Sequence, residues 1–188
     1  MLVRRVRCVA LALLLLAAPA FALDVGGVKL DDKTAVGGQE LVLNGAGIRT
    51  RVMFKVYVAS LYVPAKANDL ASVLAKAPRR IQMNLLRTLS PDQLVDALND
   101  GLKENNSESE MAAVKAQADQ LMGIMRSFGE AKEGNVVTLD FVDGATAVGF
   151  NGVPRGAIPG EPFNRALTRV WLGDKPVQAD LKKALLGG

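Results

Sequence analysis

Residues Asn44 to Val63, NGAGIRTRVMFKVYVASLYV, constrain the fold more than any other stretch of this chain. Two glycines, Gly45 and Gly47, read as a turn that leads into Arg49. A mostly apolar, β-prone run follows from Val52 to Val63, with Lys55, Tyr57 and Ser60 set into it. Such a run predicts one long, largely buried strand. At ~3.3 Å per residue, twelve residues reach roughly 40 Å, enough to cross a domain. Polar groups in a buried strand are costly unless something pairs with them. Arg49 at the entry to a strand carrying Tyr57 therefore points to a place where an anionic oxygen is held.

The two ends of the chain differ in kind. Arg4, Arg5 and Arg7, the apolar run Val9 to Leu16 and the Ala20-Phe21-Ala22 tripeptide have the pattern of a cleaved secretory signal peptide over residues 1–22. As an uncleaved anchor, the run falls short of the ~20 residues a membrane helix needs. The expectation is an exported, periplasmic protein whose single domain is residues 23–188, with no transmembrane segment once the signal is removed. The one cysteine, Cys8, lies in that signal, so the exported chain has no thiol and no disulfide. Three of the 23 basic residues also leave with it; the 20 that remain face 19 acids, a net charge near +1. That balance gives no argument for nucleic acid or for an anionic membrane surface as partner.

Histidine is absent throughout. Without histidine and cysteine the usual zinc, copper and haem ligand sets cannot be built. Ser-His and Cys-His nucleophilic catalysis is excluded too. No calcium-loop motif is present. The expectation is no metal and no cofactor.

Along the rest of the chain, Val28 to Leu30 and Gln39 to Leu43 read as short strands, and Arg79 to Arg87 alternates as a half-exposed one. A short helix over 69–76 has Asn68 as its cap. Ser90-Pro91-Asp92-Gln93 and Ser107-Glu108-Ser109-Glu110 each read as a capping box opening a helix, the second running to Phe128. Its methionines have core spacing and read as packing rather than as soft ligands. Val136–Val142 and Ala145–Phe150 flank Asp143-Gly144 as a hairpin. Residues 151–160, rich in glycine and proline, read as a loop over the domain. Helices over 161–172 and 177–186 close the chain. Strands with helices grouped between and after them give an α+β class with an antiparallel sheet.

Arg49 and Tyr57 are the candidate ligand-binding pair. Arginine offers a planar fork that fits a carboxylate, and a tyrosine hydroxyl donates a second bond to the same oxygens. The bland alternative is that Arg49 pairs with one of the acids and Tyr57 is core. Lys55, on the same strand face as Tyr57 by alternation, either joins them or extends to solvent. Asp140 with Asp143 forms a candidate carboxylate pair at a hairpin, read as solvated, and the loop of Arg155 is placed to close over a ligand or simply to cover the core. The glycine turn is no phosphate loop, since no G-K-[ST] follows it.

Three segments, NGAGIRTRVMFKVYVASLYV at 44–63, SPDQLVDALNDGLKENN at 90–106 and NGVPRGAIPGEPFNRALTRVWLGDKPVQADLKKALLG at 151–187, resemble the secreted bacterial type of chalcone isomerase-like protein. The resemblance implies an open-faced β-sandwich, a large antiparallel sheet against a layer of helices with a ligand cleft between them. It implies a fatty acid or similar amphipathic carboxylate as ligand, its head group held by the residues matching Arg49 and Tyr57, without catalysis. The alternative it carries is a chalcone-isomerase-type intramolecular lyase, in which the same arginine stabilises negative charge developing on the substrate oxygen. Against that alternative, Tyr57 occupies the place of a catalytic threonine of the plant enzymes, and the turn after Arg49 is shorter than theirs.

Overall fold

A computed structural model describes residues 23–188; the signal-peptide reading of residues 1–22 lies outside the described residues. The described residues open with a small hairpin of β1 (Leu23–Val25) and β2 (Val28–Leu30). Four strands and a helical turn follow: β3 (Lys33–Val36), β4 (Gln39–Arg51), β5 (Phe54–Val63), α1 (Leu70–Leu74) and β6 (Arg79–Leu85). Three helices come next: α2 (Pro91–Asn105), α3 (Glu108–Ala113) and α4 (Lys115–Arg126). The chain ends with β7 (Val136–Val142), β8 (Ala145–Phe150), β9 (Val153–Pro159), α5 (Glu161–Leu172) and α6 (Ala179–Leu185). Strands β3 to β9 form one seven-stranded antiparallel sheet in sequential order. The α+β class with an antiparallel sheet is as the sequence pattern predicts, and the sheet against a layer of helices is as the family resemblance implies.

The apolar run of β5 is continuous because both of its faces are covered. Ala59, Leu61 and Val63 pack into the main core, against Leu102, Leu167, Trp171 and Leu181 of the helical layer. Val58 and Tyr62 face the other way, into a smaller cluster with Leu30, Val36 and Leu41 that the β1–β2 hairpin helps to close. A strand buried on both sides loses the alternation of a half-exposed one.

The glycine segment is not a turn. Asn44 to Gly47 lies inside β4, which runs without interruption to Arg51, and the chain reverses at Val52-Met53 instead. The glycines serve close packing, because α6 lies directly on this part of the strand. A Cβ at Gly45 would overlap the Ala184 carbonyl oxygen and stand 2.9 Å from that of Leu185. Glycine inside a strand commonly marks such a backbone approach. Asn44, the unpaired residue of a bulge between Leu43 and Gly45, fastens the junction. Its side-chain amide donates to Leu185 O (2.7 Å) and Ala67 O (2.8 Å) and accepts from Ala67 N (2.7 Å).

Four other expectations change. The cap of α1 is Asp69, whose carboxylate accepts from Ser72 N at 2.8 Å, not Asn68. The helix expected over 108–128 is two helices, because Val114 leaves helical geometry (φ −111°, ψ 11°) and buries its side chain. Residues 153–159, expected as a loop, form β9. An edge strand pairs on one side only, which is where the backbone of Pro154 and Pro159 is tolerated. Asp140, read as solvated, accepts two bonds from the guanidinium of Arg80 at 2.6 and 2.7 Å, with both side chains 18% exposed. Asp143 stands apart from it, in the β7–β8 turn with φ +51°.

Candidate functional site

Arg49 and Tyr57 are partners across the β4–β5 ladder, so both side chains leave the same face of the sheet, toward the helices. Between that face and α2 and α5 lies a cavity of about 590 Å³, and both residues line it. A second bulge shapes the wall. The register passes from Arg49–Tyr57 to Thr50–Lys55, leaving Val56 unpaired, and Val56 and Tyr57 both border the cavity. Bulges re-aim side chains in this way. The same bulge breaks the alternation that placed Lys55 on the face of Tyr57; Lys55 is exposed and is not part of the cavity wall.

The Arg49 guanidinium has neutral partners. It donates to the backbone oxygen of Thr50 and, at 3.3 Å, to Gln178 Oε1. Among the described residues no aspartate or glutamate oxygen lies within ion-pair distance of it. Gln178, just before α6, also accepts from Thr50 N (2.8 Å) and donates to Ile48 O (3.4 Å). One amide side chain thus bonds to the strand on either side of Arg49 and fixes where the cation stands.

Tyr57 is held from the helical side. Trp171 of α5 donates its indole N–H to the Tyr57 hydroxyl oxygen at 3.1 Å. The phenol accepts there, so its own proton remains free to be donated to another group. Burial raises the Tyr57 pKa above its ordinary 10.0, and the Trp171 bond and the charge of Arg49 offset this only in part. The phenol is therefore a neutral donor across the physiological range. A group whose folded pKa is raised contributes stability that is complete below the unfolded pKa and lost above it. Any loss of stability through Tyr57 thus begins only above about pH 10. Trp171→Phe is expected to remove one bond and cost about 1 kcal/mol, read as a lower midpoint in urea unfolding.

The rest of the wall is largely apolar, with Met83, Leu85, Leu98, Met125 and Val170 among its residues. Met125 packs there as the core reading of the methionines expects. Arg51, Arg87 and Lys175 bring further positive charge to the wall, and Asp100 and Glu104 of α2 bring negative charge. Arg155 lies elsewhere, its guanidinium 5.5 Å from the Phe150 ring centre on the β8–β9 side. Among the described residues no group of three or more Asp, Glu, His or Cys is placed to hold a metal. None of the described helices is long and apolar enough to cross a membrane.

Sequence reasoning missed Trp171 and Gln178 as site residues. Trp171 has the spacing of a core residue in its helix, and only its indole nitrogen distinguishes it from one. Gln178 precedes a short helix with no sign of the strand it reaches. The single available signal was their place in the late WLGDKPVQ segment.

A family model described as chalcone isomerase-like matches residues 22–187, and the chain belongs to that family. Among solved structures, a fatty-acid-binding protein of Arabidopsis thaliana is similar in fold, with a TM-score of 0.64 at 12% identity, over 85% of this chain and 92% of that one. No curated protein matches the chain by sequence.

Proposed function

We propose that the protein binds a fatty acid or a similar amphipathic carboxylate in this cavity, with Arg49 and Tyr57 at the head group and the apolar wall around the chain. The observation that carries this reading is a cation with no acidic partner among the described residues, beside a buried phenol with a free proton, on the wall of a cavity of about 590 Å³. Cavities of this kind, mostly apolar with a few convergent polar groups and roughly 300–1,000 Å³, suit small-molecule ligands. A carboxylate here would accept a bond from Arg49 and one from Tyr57, and charge-assisted bonds of this type are the stronger ones. The fatty-acid-binding Arabidopsis protein of the same fold supports the choice of ligand class. The signal-like pattern of residues 1–22 supports export to the periplasm as the place of action.

The test is direct. Lipid extracted from the purified protein should contain a fatty acid by mass spectrometry, and the delipidated protein should bind added fatty acid saturably. A delipidated, folded protein without affinity for any chain length would end this reading. Conversion of a chalcone above its spontaneous rate, followed by absorbance, would replace it with the intramolecular lyase.

A further inference from the structure

The β4–β5 turn breaks two rules of hairpin chemistry at once. Its first residue, Val52, has φ +58°, a left-handed conformation that favours Gly, Asn or Asp and penalises a β-branched side chain. It is also 89% exposed, and the next two residues, Met53 and Phe54, are 86% and 59% exposed. Only two other large apolar side chains among the described residues, Leu23 and Val153, are so exposed, and neither adjoins the turn in the chain. Glycine at position 52 followed by a polar residue would relieve the backbone and satisfy water. A strained, solvent-facing Val-Met-Phe is explained by something the tip touches.

The charges around the tip indicate what that is. Arg51 and Lys55 flank it, both exposed, and the exposed Arg87 holds its guanidinium 4.7 Å from the Phe54 ring centre. No acidic residue occurs anywhere from 41 to 68. The near-neutral total charge hides this cluster, because it is local. Two apolar side chains on the turn and a third on the first residue of β5 also make a point and not a flat patch. A stable protein interface needs about 800 Å² per partner, and a tip of three side chains is too narrow to supply that. Insertion between lipid head groups requires only that an apolar point enter and that cations meet phosphates around it.

We infer that the Val52-Met53-Phe54 tip, collared by Arg51, Lys55 and Arg87, docks the protein on an anionic lipid bilayer. Val52 and Phe54 also line the cavity, so a docked tip sets the cavity against the lipid surface. If the cavity holds an amphipathic acid as proposed above, docking gives that ligand a path that avoids bulk water. The docking itself does not depend on that reading.

The experiment uses delipidated residues 23–188, which carry the whole described fold, in co-sedimentation with vesicles. Vesicles of phosphatidylcholine mixed with phosphatidylglycerol should bind the protein, increasingly as salt is lowered, and pure phosphatidylcholine vesicles should bind far less. Met53→Asp, outside the cavity wall, should lower binding by roughly ten-fold or more, since it places a charge where an apolar group would enter the lipid. Lys55→Gln should lower it about five-fold and weaken the salt dependence. Circular dichroism melting confirms that both variants are folded. Absence of binding to anionic vesicles, equal binding to both lipid mixtures, or wild-type binding by Met53→Asp would each overturn the inference. So would a sedimentation-detected dimer that Met53→Asp dissolves, which would show a second copy covering the tip. Fatty-acid affinity measured in solution on Met53→Asp should be unchanged, which separates this result from any failure of the cavity reading.

Discussion

Arg49→Ala is expected to weaken carboxylate binding by roughly 30- to 100-fold, about 2–3 kcal/mol for a lost hydrogen bond to a charged group. The fold should survive. Arg49 is only partly buried, and its partners, the Thr50 carbonyl and Gln178, are neutral groups that water can satisfy. Gln178 retains its bonds to Ile48 O and Thr50 N, so β4 keeps its anchor to the segment before α6. Calorimetric titration of fatty acid into delipidated wild type and variant measures the effect, with thermal melting as the control for folding. Arg49→Lys is a sharper probe, since it keeps the charge and loses the fork; it should fall between the two. Wild-type affinity in Arg49→Ala would place the head group elsewhere on the wall, with Arg51, Arg87 and Lys175 the remaining cations there.

Gly45→Ala should be the most damaging small change in the molecule, lowering stability by ~3 kcal/mol, the upper range for forcing extra atoms into a packed interior. The added methyl would meet the carbonyl oxygens of Ala184 and Leu185, which are backbone atoms and have no rotamer by which to move aside. Relief requires α6 to lift from β4, which would also strain the Asn44 bond to Leu185 O. Gly123→Ala is the control. It lies in α4, nothing lies within 4 Å of its would-be Cβ, and alanine has the better helix propensity, so it should be neutral or stabilising. Urea unfolding of the two variants side by side measures the contrast. Equal stabilities would mean that α6 is not seated on the strand as described.

These two predictions depend on different kinds of information. Arg49 could be singled out as a candidate in the sequence, because a charged fork beside a long apolar strand is anomalous by itself. The significance of Gly45 was misread. Glycine is compatible with a turn and with a strand that another backbone touches, and local sequence does not distinguish these when the touching residues lie about 140 positions away. The hairpin turn was lost to the same ambiguity. Val52 and Met53 are as β-prone as the residues after them, so the pattern carried the strand straight through the reversal. Segment 151–160 failed in the opposite direction. Its prolines argue against a central strand but not against an edge strand, and position in a sheet is not a property of the segment.

The sequence by itself determined the class of fold and the absence of histidine and thiol chemistry from residues 23–188. Those follow from composition and from periodicities of two and of 3.6, which act over a few neighbouring residues. Only the tertiary structure decided that Arg49 lies opposite Tyr57, that a bulge at Val56 turns two consecutive side chains toward one cavity, and that Trp171 and Gln178 hold the pair in place. Each of these is a meeting of residues distant in the chain, fixed by strand register and helix docking, and such contacts leave no mark on the local pattern of either partner.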